Sequence, residues 1–135
     1  MMTSTGEIQS ERFCPRYQRA VEIVGRRWSG AILRAMLRGA SRFGEIQEAI
    51  PDLSNRMLSE RLREFEAEGI VERVVVPERP VRVEYRLTEK GRSLNDVVEA
   101  LSRWSQDWIG LEEVEERRRG LAAGVSRPLA TDELC

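Results

Sequence analysis

Apolar residues return every three or four positions along most of the chain, and every second position in one short stretch. Tyr17, Ala20, Val21 and Val24 share a face of a first helix that runs from Cys14 to about Val24 and is closed by Gly25. Ile32, Leu33, Met36 and Leu37 mark a second helix, with Ser29 as its expected cap and Gly39 just past its end. Phe43, Ile46 and Ile50 mark a short third helix, expected to be capped by Ser41 and stopped by Pro51. Ser54 caps a fourth helix that runs to Glu68 and stops at Gly69, with Leu58, Leu62 and Phe65 on one stripe.

The period then changes. Ile70 to Val76 is short and β-branched, as strands are. Pro77 to Pro80 breaks it. From Val81 to Leu87 the chain alternates, placing Val81, Val83, Tyr85 and Leu87 on one face and Arg82, Glu84 and Arg86 on the other. Two such strands about a short breaker predict a hairpin. Thr88 is the expected cap of one last long helix, whose seam is Leu94, Val97, Val98, Leu101, Trp104 and Trp108. A short further helix follows Gly110.

The expected fold is mainly α with a small β-hairpin, a winged helix-turn-helix with N- and C-terminal dimerisation helices. Residues 1–13 read as a flexible polar arm and 14–110 as the winged domain. Residues 111–135 read as a charged extension, in part mobile.

Helix, helix, helix-turn-helix, hairpin and helix is the order of a winged helix, in which the fourth helix enters the major groove and the hairpin stands beside it. At about 100° per residue, Arg56, Ser59, Glu60 and Arg63 lie away from the leucine stripe. Ser54 and Asn55 sit at the N-terminal end, where a recognition helix touches bases. Asn pairs with adenine and Arg with guanine, each good bidentate pair discriminating by about 1–3 kcal/mol. A solvated helix face has the same composition; the position between a tight turn and a hairpin favours DNA reading. Arg79 and Arg82 flank Pro80 near the wing tip, where arginine suits a narrow minor groove, and Arg42 opens the third helix.

The charge changes this picture only in detail. The formal net charge is −1. Residues 14–91 hold 15 basic and 12 acidic groups, whereas residues 92–135 hold 6 basic and 9 acidic ones. The candidate binding region is therefore mildly basic and the tail acidic, which permits DNA binding with modest non-specific affinity. Lys90 is the single lysine among the basic residues.

Other chemistries find little support. There is no histidine for general base work, no GxSxG motif and no phosphate-binding loop, so an enzyme is not expected. Two cysteines, Cys14 and Cys135, cannot fill a zinc shell, and neither a metal nor a cofactor is expected. No apolar run approaches the ~20 residues that span a bilayer, and the N-terminus lacks the features of a signal peptide. The expected location is cytoplasmic, without a membrane partner.

Several motifs together resemble one family. They are Cys14-Pro15 ahead of the first helix, Trp28 leading into the second, RFGEI at Arg42 to Ile46, SNRMLSERLREFEAEGIVER from Ser54 to Arg73, and RVEYRLTEKG from Arg82 to Gly91. The run is similar to HxlR-type winged helix-turn-helix regulators from about Cys14 to Trp108. The resemblance implies a bacterial transcription factor, repressor or activator, that binds a pseudo-palindromic double-stranded operator. It implies a homodimer built from the first and last helices, with Tyr17, Val21, Leu101, Trp104 and Trp108 at the interface. Some such regulators use a cysteine just before the first helix to sense oxidants or electrophiles, which makes Cys14 a candidate sensor for a small-molecule or oxidant effector. Arg16 and Arg19 lie close by in sequence and would favour its thiolate. A winged-helix module for protein–protein contact without DNA binding is the alternative.

Overall fold

The computed structural model describes residues 12–121. The arm expected over residues 1–13 and the tail that ends in Cys135 lie almost wholly outside them. The elements are α1 (Pro15–Gly25), α2 (Ser29–Leu37), α3 (Phe43–Ala49), α4 (Asn55–Ala67), β1 (Val71–Val76), β2 (Arg82–Leu87), α5 (Glu89–Arg92), α6 (Asn95–Trp108) and α7 (Leu111–Leu121). They fall into two compact units, divided between Ser93 and Leu94.

The first unit is the winged helix. Its core draws Ile32, Leu33 and Met36 from α2, Ile46 from α3, and Leu58, Leu62 and Phe65 from α4. Ile50, Leu53, Ile70 and Val71 close it from the connecting segments and β1. Each fully buried side chain of this size contributes about 1.5–3 kcal/mol. The strands pair antiparallel, with Val71 opposite Leu87 and Val76 opposite Arg82. Tyr85 N–H also donates to the Ser41 carbonyl at 2.6 Å, which ties the start of α3 to the hairpin.

The junctions explain where the elements stop. Ser54 Oγ accepts from Met57 N–H at 3.1 Å and starts α4, as expected. Gly69, at φ 76°, ends α4 in a conformation that side chains rarely adopt, and Lys90 Nζ donates to the Glu68 carbonyl there. Thr88 Oγ1 donates to the Gly69 carbonyl at 2.6 Å and accepts from Gly91 N–H at 3.1 Å. Gly91 packs so close that an added Cβ would meet the Ile70 carbonyl oxygen at 2.3 Å.

Four expectations need correction. Ser29 does not cap α2: it is the first helical residue, its buried hydroxyl lacks a hydrogen-bond partner, and the N-cap is Trp28. Ser41 does not cap α3 either. The Glu45 carboxylate accepts from the backbone N–H groups of Ser41 and Arg42, at 2.9 and 3.0 Å. The single last helix is two, because Thr88 caps the short α5 and Ser93 Oγ turns back to the Lys90 carbonyl before α6 begins. Finally, β2 lacks a cleanly solvated polar face, since Arg82 and Glu84 are half-buried against each other.

The second unit holds α6 and α7. Within the seam expected on α6, Val98 is buried, whereas Val97, Leu101, Trp104 and Trp108 are exposed. Among the described residues, no helix is long and apolar enough to cross a membrane, and no cluster of side chains could hold a metal ion.

Candidate nucleic-acid interface

The polar ridge of α4 is held outward by its underside. Leu58, Leu62 and Phe65 are at most 1% exposed. Ser54, Asn55, Arg56 and Arg63 are exposed, and Ser59 and Glu60 are half-exposed. Arg56 stands well into solvent, its side chain 90% accessible, with Nε 3.3 Å from a Glu60 oxygen. An exposed pair of this kind is worth about 1 kcal/mol at most, so a base edge or phosphate can displace Glu60. The ridge thus offers amide, hydroxyl, guanidinium and carboxylate groups on one helix face, the set that reads base edges in the major groove.

Arg42 is exposed at the N-cap of α3, the helix that precedes the tight turn. The Glu45 carboxyl there lies below its usual range, chiefly because Ser41 N–H and then Arg42 N–H donate to it.

On the wing, Arg79 is exposed at the tip. Arg82 is more constrained than the sequence implied: Nη1 donates to Glu78 at 2.6 Å and Nε to Glu84 at 2.8 Å. Glu84 also accepts from Nε and Nη2 of Arg86, at 2.9 and 2.8 Å. Both guanidinium groups, Arg86 first, hold the Glu84 carboxyl below the usual range. Arg86 was not singled out from sequence. Its place two residues beyond Glu84 on the same strand face was the available signal.

Cys14 occupies the N-cap of α1 and is half-buried. Its side chain makes no cap hydrogen bond. Even so, the Tyr17 backbone N–H, followed by the backbone and guanidinium of Arg16, holds the thiol below its ordinary value against an opposing effect of desolvation. The structure places Tyr17 and Val21 exposed on α1 in the first unit, and Leu101, Trp104 and Trp108 exposed on α6 in the second.

Residues 23–113 match the HxlR-like helix-turn-helix family. The chain is similar to the HTH-type transcriptional regulator YvaP of Bacillus subtilis (strain 168), with 50% identity over 101 residues, 75% of this chain and 93% of YvaP. It is similar to YodB of the same organism, with 45% identity over 95 residues, 70% of this chain and 85% of YodB. The reduced form of YodB shares its fold at a TM-score of 0.65 and 44% identity, over 72% of this chain and 95% of that one. YodB has also been solved diamide-treated and quinone-bound. The redox regulator HypR in its reduced form matches at a TM-score of 0.64 and 37% identity, over 68% of this chain and 91% of that one. The fold, the outward ridge of α4 and these matches agree: the chain belongs to the HxlR-like helix-turn-helix family of transcriptional regulators.

Proposed function

We propose that this regulator acts as a homodimer on a two-fold symmetric operator, reading bases with α4 and the backbone or minor groove with the wing. The observation that carries this reading is the polar ridge from Asn55 to Arg63, raised on a fully buried leucine and phenylalanine underside beside the hairpin. Two copies of that ridge about 34–36 Å apart would span one turn of duplex. Exposed Tyr17 and Val21 on α1, with Leu101, Trp104 and Trp108 on α6, supply apolar surface for a partner copy.

Cys14 is the proposed switch for an oxidant or electrophile. Its lowered pKa favours the reactive thiolate, and its place at the start of α1 puts any modification beside the proposed dimer surface. That YodB has been solved diamide-treated and quinone-bound supports the same assignment.

Selection of bound DNA from a random pool, repeated with oxidant and with Cys14→Ser, tests the whole reading. The expected product is a palindrome whose recovery falls with oxidant only when Cys14 is present. A pool without sequence preference would instead favour a protein–protein module. On the selected site, Arg56→Ala and Arg63→Ala should each weaken binding by roughly 1–3 kcal/mol. If both left affinity and preference unchanged, α4 would not be the reading element.

A further inference from the structure

Helix α4 has a third face, distinct from its buried stripe and its outward ridge. At about 100° per residue, Arg61, Glu64 and Glu68 fall together on it. All three reach back to α1 or to the corner that follows it. Arg61 Nε donates to the Arg27 carbonyl at 2.8 Å, and its Nη1 donates to both oxygens of Glu64, at 3.3 and 3.1 Å. Glu64 also binds Arg26 at 3.1 Å, and Glu68 pairs with Arg19 of α1.

Apolar packing leaves part of this junction open. A cleft of about 570 Å³ separates α1 from α4, with Val21, Ile23 and Phe65 among its walls. Glu64 and Glu68, with their partners Arg26 and Arg19, line that cleft, so these pairs fix what side-chain packing leaves free. Arg61 adds the most buried link beside them, being 6% exposed and bonded to a backbone carbonyl as well as to a carboxylate. Its acceptor belongs to the residue before Trp28, whose backbone is left-handed at φ 73°, a conformation costly for a bulky side chain. The surrounding structure holds that corner, and the Arg61 bond is part of the hold.

We infer that Arg61, with Glu64 and Glu68, forms a ladder that sets the angle of the recognition helix on α1. Arg61 is thus a positioning residue for operator reading that touches no DNA itself. The inference rests on α4 being the reading element. A change in α1, the helix that carries Cys14 and the proposed dimer surface, then has a route to the base-reading ridge through these bonds.

The test uses the full chain and the DNA site selected by the wild type, at temperatures well below each variant's unfolding midpoint. Operator affinity and affinity for unrelated DNA are both measured. Arg61→Met keeps the length but loses every bond. It should lower the ratio of operator to unrelated binding by about ten-fold, the scale of one mis-set base contact, with unrelated binding little changed. Arg61→Lys serves where Arg61→Met does not fold: one ammonium cannot satisfy the Arg27 carbonyl and Glu64 together, so the ratio should fall here too. Arg19→Glu and Glu68→Arg should each lower the ratio, and the double exchange should restore it.

Full selectivity in a folded Arg61 variant, even one of reduced thermal stability, would assign Arg61 to folding alone and overturn the inference. So would a double exchange no better than its single members. Loss of sequence preference in the wild type itself would instead strike at α4 as the reading element, so the two failures are distinguishable.

Discussion

Arg82 and Glu84 are bound side by side on the wing, Nε to Oε2 at 2.8 Å, and the same carboxylate also holds Arg86. Glu84 holds two guanidinium groups on one carboxylate, while subtracting one charge from the surface proposed to meet a polyanion.

Glu84→Gln should therefore strengthen binding to unrelated DNA and steepen its salt dependence, by up to about 0.9 in the slope of log affinity against log salt. The same change should destabilise the fold at neutral pH. The Glu84 carboxyl is lowered in the folded state, first by Arg86 and then by Arg82. Its stabilising effect is present above the unfolded value near ~4.3 and is lost as pH falls through the folded value. Thermal melts of wild type and variant should differ at pH 7 and converge only as pH falls through the lowered folded value. Equal melts at pH 7 would remove the stabilising role.

Cys14 should alkylate at lower pH than a free thiol. With limiting iodoacetamide, the rate should reach half its plateau below the ~8.5 of an unperturbed cysteine. Arg16→Ala should move that midpoint upward, since Arg16 contributes both a side-chain hydrogen bond and its charge. A wild-type midpoint at or above the free value would count against Cys14 as a switch.

Gly91→Ala should destabilise although alanine favours helices. The new methyl would meet the Ile70 carbonyl oxygen at 2.3 Å, backbone that cannot move without shifting β1. We expect a loss of about 1–3 kcal/mol, outweighing the gain of about 1 kcal/mol in helix propensity, read from the urea midpoint. An unchanged or raised midpoint would show that α5 can slide away from Ile70.

Replacing Trp104 and Trp108 together by alanine should change assembly rather than folding. Both are more than half exposed, at 55% and 73%, so little burial within the chain is lost. Sedimentation should show dimers for wild type and monomers for the variant at equal concentration, with unchanged helical circular dichroism. A dimer that survives the double change would move the interface elsewhere.

Where sequence and structure agree, the reason is periodicity. Leu58, Leu62 and Phe65 repeat at helical spacing and are all buried, and Ser54 caps the helix they define. What periodicity cannot show is which polar partner a charged or capping residue will find. The start of α3 is satisfied by Glu45 instead of the expected Ser41 cap, because a carboxylate one turn into the helix reaches back to two donors at once, the Ser41 and Arg42 N–H groups. Arg61 reads as one more arginine on a charged helix; only the approach of the Arg27 carbonyl, 34 residues away, gives it a place. Trp28 carries no sign in sequence of its left-handed backbone, since that conformation follows from the corner between α1 and α2. The break before α6 was hidden for a related reason: Leu94 keeps a helical backbone, so the apolar rhythm continues across the interruption.

The hydroxyl of Thr88 anchors the hairpin at its root, beside the end of α4, while Pro77 to Val81 is exposed. Mechanically this is a cantilever. A force at the tip would bear on Arg79 far from that root, so a wing proposed to follow the duplex would adjust to groove width with little demand on the helix proposed to read the bases.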